Sequence, residues 1–252
     1  MYNPPYQAGS VPSTRLGTTG ASLLFIPKYP DMLDCMFNPD SLPVLALSHG
    51  LQTHGSRLVL ASGSLARAAL LRSAGIVMDV LPSSVDEAAI KHEARSAHRT
   101  PEATALLLAV AKARQVAASH SDTLVIGADQ VLVSEQRWFD KPADMGQARS
   151  HLLALRGRRH VLHTAACVQC NDRLIWSHVA RPALTMRDFS DATLDAYLDL
   201  EGDRLLASVG AYRVEGPGIH LFDRIEGEHA AILGLPMLAL LAWLREQGVL
   251  LA

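Results

Sequence analysis

Cysteine is scarce in this sequence, with three residues in 252. Three is too few, and of the wrong parity, for a disulfide framework, so the chain must rely on an ordinary core and fits a reducing, cytoplasmic compartment. Cys167 and Cys170 form a C-x-x-C, but they sit in Thr-Ala-Ala-Cys-Val-Gln-Cys-Asn. That stretch reads as a strand entering a turn, which suits neither a redox nor a zinc motif. A bilayer-spanning run is also missing. The most apolar stretch, Ala230 to Leu244, is 15 residues long and contains Gly234 and Pro236, short of the roughly 18 a spanning helix needs. No charged start followed by an apolar segment marks a secretory leader. Nor is there a surplus of positive charge: 23 basic and 25 acidic residues give a net charge of −2. A dedicated nucleic-acid binder would need a basic face to neutralise phosphates. Neither nucleic acid nor a membrane is therefore an expected partner. The last scarcity is lysine. Against 19 arginines stand four lysines: Lys28, Lys91, Lys112 and Lys141.

What is present points to a folded α/β protein. A composition 49% hydrophobic and 19% charged excludes disorder over the whole chain, and this length can bury a sizeable core. Residues 1–56 hold seven of the 13 prolines and show no sustained periodicity. They read as an irregular extension ahead of a domain over 57–252. Met32 and Met36 are candidate alternative starts, and Val44 to Leu47 a candidate added strand or helical turn. From Arg57 the pattern becomes regular. Leu58 to Ala61 reads as a buried strand, Leu65 to Ala74 as a helix stopped by Gly75, and Ile76 to Val80 as a second strand. Thr100-Pro101-Glu102 starts a helix running to about Ala118. Leu124 to Val133 reads as a strand and Gly146 to Leu155 as a helix. Val161 to Val168 and Leu174 to Ala180 form a hairpin around Asn171-Asp172. Ser190 caps a helix ending near Leu200. Ala211 to Glu215 and Ile219 to Ile225 are predicted as a second hairpin around Gly216-Pro217-Gly218. Pro236 opens the last helix. Alternating elements followed by hairpins predict an α/β or α+β fold with a mixed sheet in two lobes.

Four places carry candidate chemistry. In Leu58-Val-Leu-Ala-Ser62-Gly-Ser64-Leu-Ala-Arg67, a strand turns into a helix N-terminus, where unpaired N–H groups and the dipole favour an anion. Ser62 and Ser64 add hydroxyls and Arg67 a guanidinium. A phosphate site and an ordinary Ser cap both fit. Asp129, inside the apolar strand Val125-Ile-Gly-Ala-Asp-Gln, is costly to bury without a cation, donors or a metal; the alternative is a strand end facing solvent. Asp86-Glu87 follows the second strand and Pro82. With Asp129 it could hold a hard cation such as Mg2+, or be a solvated loop. Lys112, among apolar helix neighbours, and Lys141, before Pro142, are suited to phosphate oxygens or to snorkelling at the surface. His160 and His163 lie on opposite faces of a strand and are given no metal role.

Taken in order, these segments resemble the Maf (septum-formation protein) family of nucleoside triphosphate pyrophosphatases. The likeness runs from about Arg57 to Gly248. Its motifs are Leu-Val-Leu-Ala-Ser-Gly-Ser-(x)2-Arg67, Val-Asp-Glu87, Ala-Lys112-Ala, Ile-Gly-Ala-Asp129-Gln, Lys141-Pro, Leu-Arg-Gly-Arg-Arg-His160 with Thr164, Gly210-Ala-Tyr-Arg-Val-Glu-Gly-Pro-Gly, and Ile-Glu-Gly227 before Gly234-Leu-Pro236. Each is short, and their joint order is what makes the match specific. The resemblance implies an α/β fold with an elongated mixed sheet flanked by helices and a cleft between two lobes, similar to inosine-triphosphate pyrophosphatases. It also implies hydrolysis of a nucleoside triphosphate to the monophosphate and pyrophosphate with a divalent metal, Mg2+ or Mn2+. Carried over by position, Ser64 and Arg67 bind phosphates and Lys112 and Lys141 neutralise the triphosphate. Glu87 and Asp129 serve the metal and the attacking water, with Asp129 as general base.

The sequence departs from the family in two places. Many relatives carry Pro-Arg-Arg where this chain has Leu65-Ala66-Arg67, so one expected cation is missing. Gln130 stands where the pyrimidine-triphosphate branch usually has Thr, and Val214-Glu215-Gly, with Leu221-Phe222 beyond, looks closer to the 7-methyl-GTP branch; Ala-Asp-Gln also suits a broad-specificity member. The expectation is a cytoplasmic enzyme clearing non-canonical or modified nucleotides, and a homodimer is compatible with it. The rival is a non-catalytic nucleotide-binding regulator linked to cell division. A sugar- or methyl-transferring enzyme would need a glycine-rich signature that follows none of the strands.

Overall fold

Residues 51–53 and 57–251 are described by a computed structural model; Val44 to Leu47 and the alternative starts lie outside them. The architecture is an α/β layer structure on one mixed sheet of eight strands, ordered β2-β1-β3-β5-β7-β8, with β4 added to β3 and β6 added to β5. Strand β1 (Leu58–Leu60) is apolar and buried throughout, as expected of a strand covered on both faces. It runs parallel to β2 (Asp79–Val80) and to β3 (Leu124–Ser134). From β3 onward the pairing is antiparallel. β3 and β5 (Arg159–Cys170) pair from Leu124↔Cys170 to Val133↔Val161 and form the spine of the sheet. β4 (Arg137–Phe139), β6 (Arg173–Ala180), β7 (Ala183–Met186) and β8 (Phe222–Glu226) complete it.

The helices start where side chains can satisfy their free N–H groups. Ser64 caps α1 (Leu65–Ser73), Asp86 caps α2 (Glu87–Ser96), and Thr100 caps α3 (Pro101–Ala117). Asp144 caps α4 (Met145–Leu155) and Ser190 caps α5 (Asp191–Glu201). A single turn, α6 (His229–Ile232), and α7 (Met237–Glu246) close the fold. Among the described residues no helix is long and apolar enough to cross a membrane.

Two expectations are corrected. The predicted second hairpin does not form. Val209–Ala211 and Pro217–Leu221 are 3-10 turns, and only Phe222–Glu226 is a strand, paired with β7. Pro217 opens a helical turn there instead of shaping a hairpin loop, and the Arg213 N–H donates to Tyr197 Oη, not to a strand. The segment after Pro82 is also not simply a loop. Asp86-Glu87 begins a ten-residue helix, so Lys91 is helical.

Three apolar clusters sit on this frame. One gathers α4, α5, β7 and β8 around Leu152, Leu184 and Leu194. The other two lie on opposite faces of the β1–β3–β5 region, under α1 and α7 on one side and α3 on the other. Residues 51–53 pair with the C-terminal end, with Gln52 opposite Leu250. Cys167 and Cys170 are free, and burial pushes the Cys167 thiol up to about 12, which removes the thiolate a redox motif needs.

The first cluster contains an acid-sensitive group. His160 is 1% exposed and pairs through Nε2 with Tyr212 Oη at 3.0 Å. Burial lowers its pKa from 6.5 to about 4. Between those values the unfolded chain binds a proton that the folded chain refuses. Stability is therefore full above pH 6.5 and falls as pH drops towards 4, by about 3 kcal/mol in all. Thermal melts from pH 8 to pH 4 are expected to show a shallower acid-side decline in His160→Phe than in the parent chain, although the variant starts less stable. Identical slopes would refute this.

Candidate active site

Strand parity aims the critical carboxylate. Along β3, Val125, Gly127, Asp129 and Val131 face α3, while Ile126, Ala128, Gln130 and Leu132 face the other side. Helix α3 lays a stripe of Ala105, Leu108, Ala109, Lys112, Ala113 and Val116 on that first face. Gly127 allows the two to close up: a Cβ there would stand 2.2 Å from the Ala109 carbonyl oxygen. Lys112, the polar member of the stripe, is thereby delivered onto Asp129.

The Lys112 ammonium lies 2.5 Å from Asp129 Oδ1 and 2.7 Å from Glu87 Oε1. The Lys112 and Asp129 side chains are 8% and 7% exposed, and that of Glu87 is 42% exposed. The cation that Asp129 needs in an apolar strand is thus supplied by a neighbouring helix. Burial works to raise the pKa of Glu87. Lys112, Lys91 and Lys141 together hold its carboxyl below the ordinary value. This group is an acidic pair bridged by one lysine, open to solvent on the Glu87 side.

Arg67 reaches the same neighbourhood from α1. Burial lowers its pKa, and the charges of Asp129 and Glu87 oppose that shift. Its guanidinium is turned inward: Nε donates to Gly234 O at 2.8 Å, and Nη1 to Ala128 O at 2.8 Å and Ser62 Oγ at 3.1 Å. Arg67 therefore ties α1, β3 and the α6–α7 connection together beside the acidic pair. Ser64 Oγ accepts from the Arg67 N–H, so it acts as a helix cap, the plainer of its two readings. Ser64 follows Ser62, whose Oγ accepts from the Ser64 N–H. Lys141 is exposed and close enough to Glu87 to act on it electrostatically. On the opposite face of β3, Gln130 and Thr164 donate to carbonyls of α6.

A family model for Maf-like proteins matches residues 57–247. The chain belongs to the Maf family. A nucleoside triphosphate pyrophosphatase of Granulibacter bethesdensis is 48% identical over 195 residues, covering 77% of this chain and 98% of that protein. Another, from Paramagnetospirillum magneticum, is 49% identical over 192 residues, covering 76% and 99%. A 7-methyl-GTP pyrophosphatase of Rhizobium meliloti is 45% identical over 193 residues, covering 77% and 97%. The Maf match contains all six residues singled out above: Ser64, Arg67, Glu87, Lys112, Asp129 and Lys141.

The donor set fits a hard divalent cation in one particular way. Two carboxylates that share one ammonium lie close together, and the half-exposed Glu87 leaves room for water. Among the described residues no group of three or more His, Cys, Asp or Glu has metal-binding geometry. Two protein carboxylates completed by water and phosphate oxygens is the usual arrangement for Mg2+.

Two residues of this neighbourhood escaped the sequence reading. Lys91 stands one helical turn after Glu87 on α2, and its Nζ pairs with Asp140 Oδ1 at 2.7 Å. The i, i+4 spacing of Glu87 and Lys91 was the available signal, hidden while α2 was read as a loop. Asp140 carried no motif of its own.

Proposed function

We propose that this Maf-family chain is an enzyme hydrolysing nucleoside triphosphates to the monophosphate and pyrophosphate. The observation that carries the reading is the bridged pair: Asp129 and Glu87 held on Lys112 at 2.5 and 2.7 Å. The names of the relatives support it. Glu87 and Asp129 would hold a divalent cation, Mg2+ or Mn2+, which when bound polarises phosphate oxygen and water.

The chain's own residues supply the rest. Lys112 orients the Asp129 carboxylate, which takes the proton of the water attacking the α-phosphorus. The α–β bridging bond breaks, and its electron pair leaves with pyrophosphate. The Lys112 ammonium offsets the charge gathering on that leaving group, and Lys141 neutralises the phosphate chain in ground state and transition state alike. Arg67 keeps α1 and the Gly234 segment seated beside the reaction. No covalent enzyme intermediate is needed. The scarcity of cysteine suits a reducing, cytoplasmic compartment, and the role that goes with this activity is clearing modified or non-canonical nucleotides.

The test is a panel of canonical triphosphates and 7-methyl-GTP with Mg2+ or Mn2+, followed for both products. Equimolar monophosphate and pyrophosphate is expected from at least one triphosphate. Release of orthophosphate, or tight binding without turnover, would overturn the reading; the second outcome would favour a nucleotide-binding regulator.

A further inference from the structure

The charges around Glu87 continue beyond it. Lys91 and Arg95 follow Glu87 at successive turns of α2, so all three share one face of the helix. Asp140 receives both cations, Lys91 Nζ on Oδ1 at 2.7 Å and Arg95 Nη2 on Oδ2 at 3.3 Å. The Arg95 guanidinium also lies over the Trp138 ring, 4.9 Å from its centre. Trp138 belongs to β4, and Asp140 immediately precedes Lys141. An alternating line results: Asp129, Lys112, Glu87, Lys91, Asp140, Arg95.

Helix α2 needs such a fastening. Of its ten residues Ala94 alone is fully buried, so little apolar packing fixes the helix. Its N-terminal end is held by Lys112 on Glu87, and the segment before it by Gln115, which accepts from the Ser84 N–H through Oε1 and donates to Ser84 Oγ through Nε2. The C-terminal half is held to β4 through Arg95 and Asp140. The lysine beside Asp140 is exposed and reaches Glu87 only electrostatically. What aims Lys141 is the backbone on either side of it: Pro142 after, and the clasped Asp140 before.

We propose that Asp140 is a positioning residue of the phosphate site: by clasping Lys91 and Arg95 it fixes the connection that presents Lys141 to the substrate triphosphate. This rests on the pyrophosphatase reading. Asp140 touches no substrate. Its loss releases Lys141 from its place and takes from Lys91 and Arg95 the carboxylate they share, while Asp129, Lys112 and Glu87 stay joined. Binding of the phosphate chain should suffer more than the chemical step, because the cation lost contributes to ground state and transition state alike.

The experiment is steady-state kinetics on Asp140→Ala and Asp140→Asn with a triphosphate the parent chain hydrolyses, together with titration of a non-hydrolysable α,β-methylene analogue. KM and the analogue Kd are expected to rise about 10-fold in both variants, with kcat within about 2-fold of the parent. Asp140→Glu, which keeps the charge, should recover most of the loss. Asp140→Asn keeps size and shape, so it carries the test if the alanine variant folds poorly. Unchanged KM and Kd, or a fall confined to kcat, would overturn the clasp. Failure of the parent chain to hydrolyse any triphosphate would instead refute the underlying reading, and the analogue titration would still report on Asp140.

Discussion

Asp129→Asn is expected to lower kcat at least about 1,000-fold, the upper range for removing a general base, while the protein still folds. The exchange preserves shape and removes one negative charge from a nearly buried site. Lys112 loses its 2.5 Å partner but keeps Glu87 at 2.7 Å. Its charge is then only partly offset, which costs about 2 kcal/mol of stability, less than the usual penalty for breaking a fully buried pair. A double variant, Asp129→Asn with Lys112→Met, separates the two consequences. It should recover much of the lost melting temperature by replacing the partly offset ammonium with an apolar chain of similar length, and recover none of the activity. Circular dichroism, thermal melts and product release at saturating substrate measure both. A single variant that turns over at the parent rate would remove Asp129 from catalysis. A double variant that regains activity would show that the charge served stability alone.

How far this site was legible depends on how local its causes are. The Ser64, Thr100 and Ser190 caps each bond an N–H three residues on, so a short window of sequence suffices to find them. Asp129 announced its need for a partner because a carboxylate in Val-Ile-Gly-Ala-Asp cannot stay buried alone. The identity of that partner was not local. Lys112 is 17 residues earlier, and only the β3 pleat and the α3 stripe together bring them into register. Glu87 was singled out while its helix was missed. α2 buries little and carries four charged residues in Glu-Ala-Ala-Ile-Lys-His-Glu-Ala-Arg-Ser, so its apolar signal is faint. The stretch after Gly210 misled for a different reason. Gly-Pro-Gly suits a hairpin loop and a 3-10 turn equally, and burial of Tyr212 against His160 and Phe222 decides between them. The lysine scarcity gained meaning from the structure. All three lysines of the described residues, Lys91, Lys112 and Lys141, act on Glu87. Arginine's bulkier fork would not substitute freely where one ammonium is shared by two carboxylates.

Gly127→Ala should be strongly damaging although it replaces no charged group. The added methyl would sit 2.2 Å from Ala109 O and 2.8 Å from Ala113 Cβ. Ordinary carbon–oxygen contacts are about 3.3 Å or longer, so α3 must retreat by about 1 Å. Ala109 and Ala113 flank Lys112 on the helix, and the retreat withdraws the ammonium from Asp129 and Glu87. Overpacking of this kind costs about 2–3 kcal/mol, a fall of roughly 5–10 °C in Tm for a domain of this size. Activity should fall up to about 100-fold, because catalysis is sensitive to displacements near 1 Å. The two effects have one origin, and a suppressor can check it. Ala113→Gly removes the 2.8 Å contact but leaves the closer clash, which is with backbone and cannot be trimmed. The pair Gly127→Ala with Ala113→Gly should therefore remain impaired. Full rescue by Ala113→Gly, or a single variant that keeps the parent Tm and kcat/KM, would mean that α3 does not rest on β3 at Gly127 and that Lys112 reaches Asp129 by another route.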